Sequence, residues 1–332
     1  MTRIAIMGAG SWGTTLASVV ADNDNVVTIW ARSMDTAAEL NSKHTNSRYQ
    51  PSLVLPKSVT ATTDASAALA DAELVVLAIP AQSLRSNLAD WGAVIPKNAV
   101  VLSLMKGIEL STGLRITEVV HEAAGIDFAR LTVLSGPNLA EEIARREPAA
   151  TTIAGYDPAA AEFVQRCCST QLFRPYTTTD VLGTEIAGSA KNVVALAVGI
   201  AIGLGFGENS QAALITRGLA EIARLGVALG ANPMTFSGLA GMGDLVATCG
   251  SPLSRNRTFG EHLGHGKSVE EATALAKGVC EGVPTSRALL DLARSHGVEM
   301  PITEMMVEVL YHGLAPHTML QKFMGREVKA EI

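Results

Sequence analysis

Residues 4–13 read IAIMGAGSWG, an apolar run followed by glycines at Gly8, Gly10 and Gly13. The Gly-x-Gly-x-x-Gly spacing by itself occurs too often by chance to specify a ligand. Here, residues 4–7 are a strand candidate, residues 11–21 have helix-compatible spacing, and residues 26–30 are a second, β-branched strand candidate. This strand–turn–helix–strand order favours a dinucleotide-binding turn over a glycine turn without a ligand.

Each glycine has a separate physical role in such a turn. Gly8 permits the tight turn, Gly10 lets a pyrophosphate approach the backbone, and Gly13 lets the helix pack closely on the strand. The start of the helix offers unpaired N–H groups and a positive partial charge to the phosphates.

The end of the second strand decides which dinucleotide is favoured. The sequence reads WARS at residues 30–33, with Arg32 where an acidic residue would bind an unmodified ribose. A guanidinium there accommodates a 2′-phosphate, so we predict that NADP(H) is preferred and NAD(H) remains possible. The alternative is that Arg32 is an ordinary solvated surface residue.

The bulk composition predicts a globular chain of two domains that acts on small molecules. The 332 residues are 48% hydrophobic and 17% charged, and the formal net charge of -6 lacks the basic stripe that nucleic-acid binding needs. The four cysteines show no C-x-x-C spacing and are interpreted as reduced thiols. No secretory signal is recognised at the start, so we expect a cytoplasmic protein.

The pattern along the chain predicts an α/β fold in two parts. Residues 1–180 are expected to form a Rossmann-like, doubly wound, mostly parallel sheet, with further strands at residues 74–79, 100–104, 131–134 and 151–154. Residues 181–332 are expected to form an all-α substrate and catalytic domain, with helical runs at residues 210–229 and 285–295. The uncharged stretch 192–206 is shorter than a membrane span and is interpreted as a buried core helix.

Polar residues follow two of the later strands. Lys106 comes just after the strand at residues 100–104, and ligands of open α/β sheets bind at such carboxyl ends. Gly136 and Pro137 turn the chain after the next strand, and Asn138 could hydrogen-bond a substrate oxygen. A turn before a helix explains this second stretch equally well.

Lys191 is a lone ammonium in an otherwise apolar helical stretch, GTEIAGSAKNVVALAVGIAIGLG. Burial would lower its pKa from about 10.4 towards neutrality, the range that suits a general acid or base. Asp244, among the glycines of GLAGMGDLVATC, could be the carboxylate that positions it. The alternative is a snorkelling lysine or one paired with Glu185.

A cluster of donors follows in SPLSRNRTFG, residues 251–260, where Ser254, Arg255, Asn256 and Arg257 are consecutive. Hydroxyl, guanidinium and amide donors beside a helix start suit a phosphate monoester, although a solvated basic loop has the same composition. His262 and His265 lack further ligands at suitable spacing, so we predict no metal site.

Taken together, the chain resembles the bacterial-type NAD(P)-dependent glycerol-3-phosphate dehydrogenases. Six motifs occur in the family's order across nearly the whole chain: GAGSWG, LMKGIE at residues 104–109, SGPNLAEE at 135–142, GSAKNVVALAVGI at 188–200, GLAGMGDLVATC at 238–249 and SPLSRNRTFG. Their combination is highly specific, whereas any one of them alone is not.

The resemblance implies a cytosolic homodimer that reduces dihydroxyacetone phosphate to sn-glycerol 3-phosphate for glycerophospholipid synthesis, with the active site in a cleft between the two domains. It implies that Lys191 is the proton acceptor. The residues that match substrate contacts are Lys106, Gly136, Lys191, Asp244, Ser254, Arg255 and Asn256, and Asn138 is a further predicted substrate contact because its amide can hydrogen-bond. Those that match cofactor contacts, besides the glycines, are Ser11, Trp12, Arg32, Lys106, Ala140, Arg255, Val279 and Glu281.

Three residues at two places in the chain depart from the family's pattern. Asn138 and Leu139 stand where Ser and Phe are common, and Met242 stands where Leu is usual, a change that conserves volume.

Two other functions compete with the resemblance. One is another two-domain hydroxyacid or sugar-acid dehydrogenase with a catalytic lysine, and the other is a non-catalytic NADP(H)-sensing protein.

Overall fold

A computed structural model describes residues 1–276 and 278–319 of the chain. Its strands are β1 (Arg3–Met7), β2 (Val26–Trp30), β3 (Thr45–Asn46), β4 (Gln50–Val54), β5 (Val59–Thr62), β6 (Leu74–Leu77), β7 (Val100–Ser103), β8 (Leu131–Ser135), β9 (Ala149–Gly155) and β10 (Phe173–Thr178). Every one of these strands precedes residue 180.

Helices lie between the strands and predominate in the second part of the described chain. In the first part they are α1 (Ser11–Ala21), α2 (Met34–Lys43), α3 (Ala65–Leu69), α4 (Leu84–Trp91), α5 (Ile116–Ala124), α6 (Ala140–Ala144) and α7 (Pro158–Cys168). In the second part they are α8 (Val181–Gly203), α9 (Glu208–Ala228), α10 (Pro233–Ser237), α11 (Asp244–Gly250), α12 (Arg255–Gly264), α13 (Val269–Leu275), α14 (Gly282–Ser295) and α15 (Pro301–Tyr311). One π-helical turn, Leu239–Gly243, leads directly into α11.

The main sheet has the order β10–β9–β8–β7–β6–β1–β2–β5. All its neighbouring strands pair in parallel except β8 and β9, which are antiparallel. The chain runs from β1 outward to β2 and β5, and then returns to the other side of β1 with β6. This reversal creates a crevice at the carboxyl ends of β1 and β6, where doubly wound sheets bind ligands. The predicted mostly parallel, doubly wound sheet is confirmed.

Alternating side chains of the strands are buried on both faces of this sheet. In β1, Ile4 and Ile6 belong to the apolar cluster that includes α1, while Ala5 and Met7 belong to the cluster that includes α4 and α5. Burial on both faces explains why the central strands are continuous apolar runs that could be recognised from the sequence.

The edge strands were not predicted. β5 is a short edge strand, and β10, with the sequence FRPYTT, contains Pro175 and exposes alternate residues. Proline inside a strand and high polarity both weaken the sequence signal for a strand. The small β3–β4 hairpin, rich in polar residues, was missed for the same reason.

The second part is organised around α8, which covers residues 183–203 of the helical stretch that the sequence predicts around Lys191. It begins at Val181, and 20 of its 23 residues are buried. By length and composition α8 could cross a membrane, but 89% of its most apolar segment is buried inside the protein. It is therefore the buried core helix that the sequence predicts, and the polar residues in its first half find their partners in the tertiary structure.

Asp180 immediately precedes α8, at the position where the sequence predicts the domain boundary. Its side chain accepts hydrogen bonds from the N–H groups of Gly183 and Asn232 and from the hydroxyl of Thr235. Asp180 thus caps α8 and connects it to the turn before α10. The division into residues 1–180 and 181–332 stays a prediction, and residues 277 and 320–332 of its second part lie outside the described residues.

Gly199 lies where α8 and α12 approach most closely, and a Cβ there would clash with the carbonyl oxygen of Arg257. We expect Gly199→Ala to lower the free energy of unfolding by about 1–3 kcal/mol, because close-packed backbones must move to admit the methyl group. Gly250→Ala is the control, since a Cβ there has no neighbour within 4 Å. Urea unfolding followed by circular dichroism measures both variants, and equal stability of the two would contradict the close contact.

Candidate active site

Three strands bring their carboxyl ends to the same edge of the sheet, and predicted site residues of the first part follow them. Gly8 comes directly after β1, Lys106 comes three residues after β7, and Gly136 comes directly after β8. This edge faces α8 and α11 of the second part, so the site lies in the cleft between the sheet and the helices.

The glycine turn has the geometry that a dinucleotide requires. Gly8 has φ +132°, and a Cβ there would clash with the carbonyl of Ala78, while a Cβ on Gly13 would clash with the carbonyl of Gly8. A Cβ on Gly10, in contrast, would meet nothing within 4 Å. Gly10 is also the N-cap of α1 and supplies no side-chain cap, so the first turn of α1 presents its N–H groups to open space. These residues fit a pyrophosphate.

The other predicted cofactor contacts of the first part are arranged around this turn. Ser11 and Trp12 form the first turn of α1, and the buried Nε1 of Trp12 has no hydrogen-bond partner. Arg32 is exposed one residue beyond Ala31 at the end of β2, so its guanidinium is accessible to a ligand. Ala140 begins α6, and its carbonyl accepts a hydrogen bond of 3.4 Å from Thr15.

Glu281 in the second part contacts the turn that follows β6. It is the N-cap residue of α14, and its Oε1 accepts a hydrogen bond of 3.1 Å from the N–H of Ala81. Its Oε2 is buried and has no partner. Burial raises the pKa of Glu281, although the Ala81 N–H and Arg255 act in the opposite direction. Val279, two residues earlier, is 46% exposed.

The centre of the site is a carboxylate shared by two lysines. Asp244, which is 1% exposed, accepts a hydrogen bond from Nζ of Lys191 at Oδ1 and one of 2.5 Å from Nζ of Lys106 at Oδ2. Lys191 also donates to Oγ1 of Thr248 at 2.5 Å. Ser135 donates to Oδ2 of Asp244 at 3.3 Å. The groups that surround Asp244 therefore come from α8, α11 and the ends of β7 and β8.

This environment shifts the pKa of both buried partners. Burial lowers the pKa of Lys191 to about 8, and the nearby Lys106 ammonium acts in the same direction, while Asp244 opposes the shift. Burial by itself would raise the pKa of Asp244, but Lys106 and Lys191 together more than offset this, and that pKa lies below its usual 3.8. At neutral pH Asp244 is a carboxylate and Lys191 is an ammonium that can release its proton within the physiological range.

Local sequence explains why these groups can meet. Gly188 lies one turn before Lys191 on α8, and a Cβ there would lie 2.7 Å from Oγ of Ser135 and 3.6 Å from Cγ of Lys106. The missing side chain therefore lets α8 lie directly against the strand ends. Asp244 is the first residue of α11 after the π-helical turn, and Thr248 follows it four residues later on the same helical face.

Gly136 and Asn138 lie beside this cluster. The carbonyl of Gly136 accepts a hydrogen bond of 3.4 Å from Lys106. Nδ2 of Asn138 donates to Thr151 at 2.9 Å, whereas its Oδ1 is buried without a partner. A buried acceptor without a donor is destabilising, so Oδ1 of Asn138 can accept from a ligand hydroxyl.

The cluster at residues 254–257 is less uniform than the sequence indicated. Ser254 is buried, and its hydroxyl accepts from the N–H of Arg257 as the N-cap of α12. Oδ1 of Asn256 accepts from the N–H of Gly282, and its Nδ2 donates to Asn192 at 3.0 Å. Arg255 alone among these three predicted substrate contacts is exposed, so its donors are accessible to a ligand.

The structure corrects one alternative and adds residues that the sequence reading missed. Glu185 does not pair with Lys191; it pairs with Arg115 at 2.6 Å. Thr248 and Ser135 were missed, although the four-residue spacing of Thr248 from Asp244 on a helix was a usable signal. Across the described residues, no three or more His, Cys, Asp or Glu side chains form a group that could hold a metal ion.

Comparison with known proteins gives the same family over the whole chain. The family models described as the NAD-dependent glycerol-3-phosphate dehydrogenase N-terminus and C-terminus match residues 3–161 and 180–321. A curated glycerol-3-phosphate dehydrogenase (NAD(P)+) of Thermobifida fusca is 54% identical over 100% of this chain and 99% of the relative. One of Corynebacterium glutamicum (strain R) is 55% identical over 100% of both chains. The crystal structure of glycerol-3-phosphate dehydrogenase from Coxiella burnetii has a TM-score of 0.93 and is 35% identical, covering 98% of this chain and 99% of its own.

Asp244→Asn tests the shared carboxylate through stability. We expect the free energy of unfolding to fall by about 3–5 kcal/mol near pH 7, because the change leaves two cations without their counter-charge in a buried site. Without Asp244 the folded-state pKa of Lys191 falls further below about 8. The unfolded variant then binds more protons than the folded one, so its stability rises between about pH 7 and pH 9.

The control for this experiment is Glu304→Gln, which breaks an ion pair with Arg294 whose side chains are 45% and 60% exposed. Its effect should stay within about 0–1 kcal/mol, since exposed pairs contribute little. Urea unfolding at several pH values measures both variants. An Asp244→Asn protein that is as stable as the Glu304→Gln control would contradict the buried pairing.

Proposed function

This chain belongs to the NAD-dependent glycerol-3-phosphate dehydrogenase family, and from that premise we propose that it reduces dihydroxyacetone phosphate to sn-glycerol 3-phosphate, reversibly, with NAD(P)H. The observation that carries the proposal is the buried Lys191–Asp244–Lys106 cluster at the sheet edge that also bears the glycine turn. The reduction of a ketone requires a proton donor, a second cation and a dinucleotide-binding turn close together, and this edge of the sheet carries all three.

The cofactor is held by residues of both parts of the chain. Gly8, Gly10, Ser11, Trp12 and Gly13 bind the pyrophosphate, and Arg32 selects NADP(H) through the 2′-phosphate. Lys106, Ala140, Arg255, Val279 and Glu281 complete the predicted cofactor contacts. When bound, the reduced nicotinamide supplies the hydride that the ketone carbon accepts.

Lys191 is the acid–base group of the reaction. As an ammonium it donates a proton to the carbonyl oxygen during reduction, and as an amine it takes the proton from the hydroxyl during oxidation. Its pKa of about 8 makes both states accessible near neutral pH. Asp244 orients its Nζ, and Lys106 stabilises negative charge on the same oxygen.

The phosphate of the substrate is recognised mainly by Arg255. Its side chain is exposed at the start of α12, where a guanidinium can form two parallel hydrogen bonds to phosphate oxygens. Ser254 and Asn256 hold the first turn of α12 in place through their contacts within the protein. Gly136 and Asn138 border the glycerol moiety, where the unpartnered Oδ1 of Asn138 accepts from a hydroxyl.

Three further features of the proposal rest on the family rather than on geometry. The protein acts in the cytoplasm as a homodimer, and its product enters glycerophospholipid synthesis. The competing functions are less well supported. A purely NADP(H)-sensing protein has no need of two lysines on one buried carboxylate, and another two-domain hydroxyacid dehydrogenase has no need of a phosphate-binding guanidinium.

The phosphate requirement tests the substrate. Oxidation of NADPH, followed by nicotinamide absorbance, is expected with dihydroxyacetone phosphate and not with dihydroxyacetone, and NADH is expected to be the weaker cofactor.

Arg255→Ala should raise the KM for the phosphorylated substrate by about 10²-fold with a smaller change in kcat, because it removes a charged hydrogen-bonding partner. The control Arg145→Ala changes an exposed arginine paired with Glu147 and should leave the KM unchanged. No turnover with either compound, despite NADPH binding, would contradict the enzyme.

Lys191→Met tests the proton donor. Turnover should fall by about 10²–10⁴-fold, whereas Lys97→Met, which changes an exposed lysine before β7, should not affect it.

In the unmodified protein, kcat/KM for reduction should fall as pH rises through about 8, because Lys191 then loses the proton that it donates. Oxidation of glycerol 3-phosphate should increase over the same range. Wild-type turnover in Lys191→Met would remove Lys191 from this role.

A further inference from the structure

A second buried ion pair joins α8 to the start of α5, away from the lysine cluster. Glu185, six residues before Lys191, accepts hydrogen bonds from the N–H of Thr117 at 2.9 Å and from its hydroxyl at 2.7 Å. Nη1 of Arg115 donates to the same carboxylate at 2.6 Å. The side chains of Arg115 and Glu185 are 12% and 3% exposed, so water competes little for this contact.

The pairing completes the start of another helix. Arg115 is the N-cap of α5 and Thr117 is its second residue, so the carboxylate of Glu185 satisfies an N–H that α5 cannot use internally. Its negative charge is also favourable at the positive end of the helix. Arg115 is held from its other side by Glu118 at 2.6 Å. The register of α8 against α5 is therefore set by directional contacts.

The loop that leads into α5 is the one that carries Lys106. Ile108 and Arg115 form an antiparallel bridge, and the N–H of Glu109 donates to Leu114 at 2.9 Å. Ile108 is fully buried and belongs to the apolar cluster of α8 that includes Ile186. The 106–115 loop is thus closed on itself and lies against α8.

Three residues within two turns of α8 contact this loop or the site. Glu185 binds Arg115 at the end of the loop, Gly188 allows the stem of Lys106 to approach, and Lys191 binds Asp244. A shift of the 106–115 loop along α8 would break the first contact and draw Lys106 away from Asp244, which lies with Lys191 in the helical part. The separation of Lys106 and Lys191 therefore depends on the register that Glu185 sets.

We propose that the buried Arg115–Glu185 ion pair positions the reacting groups, by holding α8 in register against the 106–115 loop so that Lys106 and Lys191 share the carboxylate of Asp244. Arg115 and Glu185 are positioning residues, because they act through the two lysines. The inference rests on the proposed function for its kinetic consequences. Its electrostatic consequence can be measured without turnover.

Weakening the Arg115–Glu185 ion pair is expected to change the pKa of Lys191 in one direction. The titratable groups around Lys191 are Asp244 and Cys249 from α11 and Lys106 from the strand end. Lys106 lowers the pKa of Lys191, so withdrawal of Lys106 from Asp244 raises that pKa above about 8. Near the ion pair itself, Glu118 and Tyr156 remain as partners of Arg115.

The principal variant is Glu185→Gln, which keeps the shape of the side chain and can still accept from Thr117 but presents an amide N–H to Arg115. Arg115→Lys and Thr117→Val weaken the same contact from its other side and serve if Glu185→Gln does not fold. The matched control is Glu221→Gln. Glu221 is a buried glutamate of α9 that accepts from the N–H of Ile302 at 2.6 Å at the start of α15.

Two measurements are made on each protein. The first is the pH dependence of kcat and KM for the reduction of dihydroxyacetone phosphate by NADPH. The second is the ¹⁵N NMR titration of the Lys191 ammonium without substrate, assigned by its loss in Lys191→Met. For Glu185→Gln we expect kcat to fall by about 10²-fold, since displacement of a reacting group by about 1 Å has that effect. The KM should change by less than about threefold, and the pKa of Lys191 should rise.

Thermal stability separates positioning from folding. Glu185→Gln and Glu221→Gln are both expected to unfold at lower temperature, but Glu221→Gln should keep the kcat and the Lys191 pKa of the unmodified protein. Adding Arg115→Met to Glu185→Gln should lower kcat little further, because the two residues act as one unit. A Glu185→Gln protein with normal kcat and a Lys191 pKa of about 8 would overturn the inference. An unmodified protein without turnover would instead contradict the proposed function, while the NMR titration still decides about the ion pair.

Discussion

The structure depends above all on one buried carboxylate, Asp244, that pairs with two lysines from different parts of the chain. Three ionised groups can be buried together only when each is well paired, because the desolvation of an unpaired charge is strongly unfavourable. Lys106 reaches Asp244 from the end of β7, and Lys191 reaches it from α8. The sheet and the helical part must therefore lie in one relative arrangement for the charges to be satisfied, and that arrangement also defines the cleft.

The same pairing sets the chemistry. With both lysines protonated the cluster has a net charge of +1, from two ammonium groups and one carboxylate. A site of this kind favours negative charge on a ligand oxygen, and burial brings the pKa of Lys191 to about 8. One arrangement of charges thus stabilises the contact between the two parts of the chain and supplies a proton donor.

Close approach of backbones is the second constraint, and glycines provide it at the points where function needs it. Gly13 lets α1 pack on the turn after β1, and Gly188 lets α8 lie against Lys106. Between these contacts, Gly10 stays open to a ligand. The same residue type therefore has opposite roles, close packing and open access, within one site.

The sequence by itself determined the doubly wound sheet, the glycine turn and the candidate residues Lys106, Lys191 and Asp244. Buried central strands are continuous apolar runs, and a lone lysine in an apolar helix or an aspartate among glycines is conspicuous without a structure. Only the tertiary structure decided that Glu185 pairs with Arg115, 70 residues away, rather than with Lys191 on its own helix. It alone also decided that Ser254 and Asn256 satisfy partners within the protein while Arg255 stays exposed. Local spacing along the chain indicates which polar side chains share a helix or a strand end. The partner of a buried polar group, however, depends on which distant segments the fold brings within hydrogen-bonding distance.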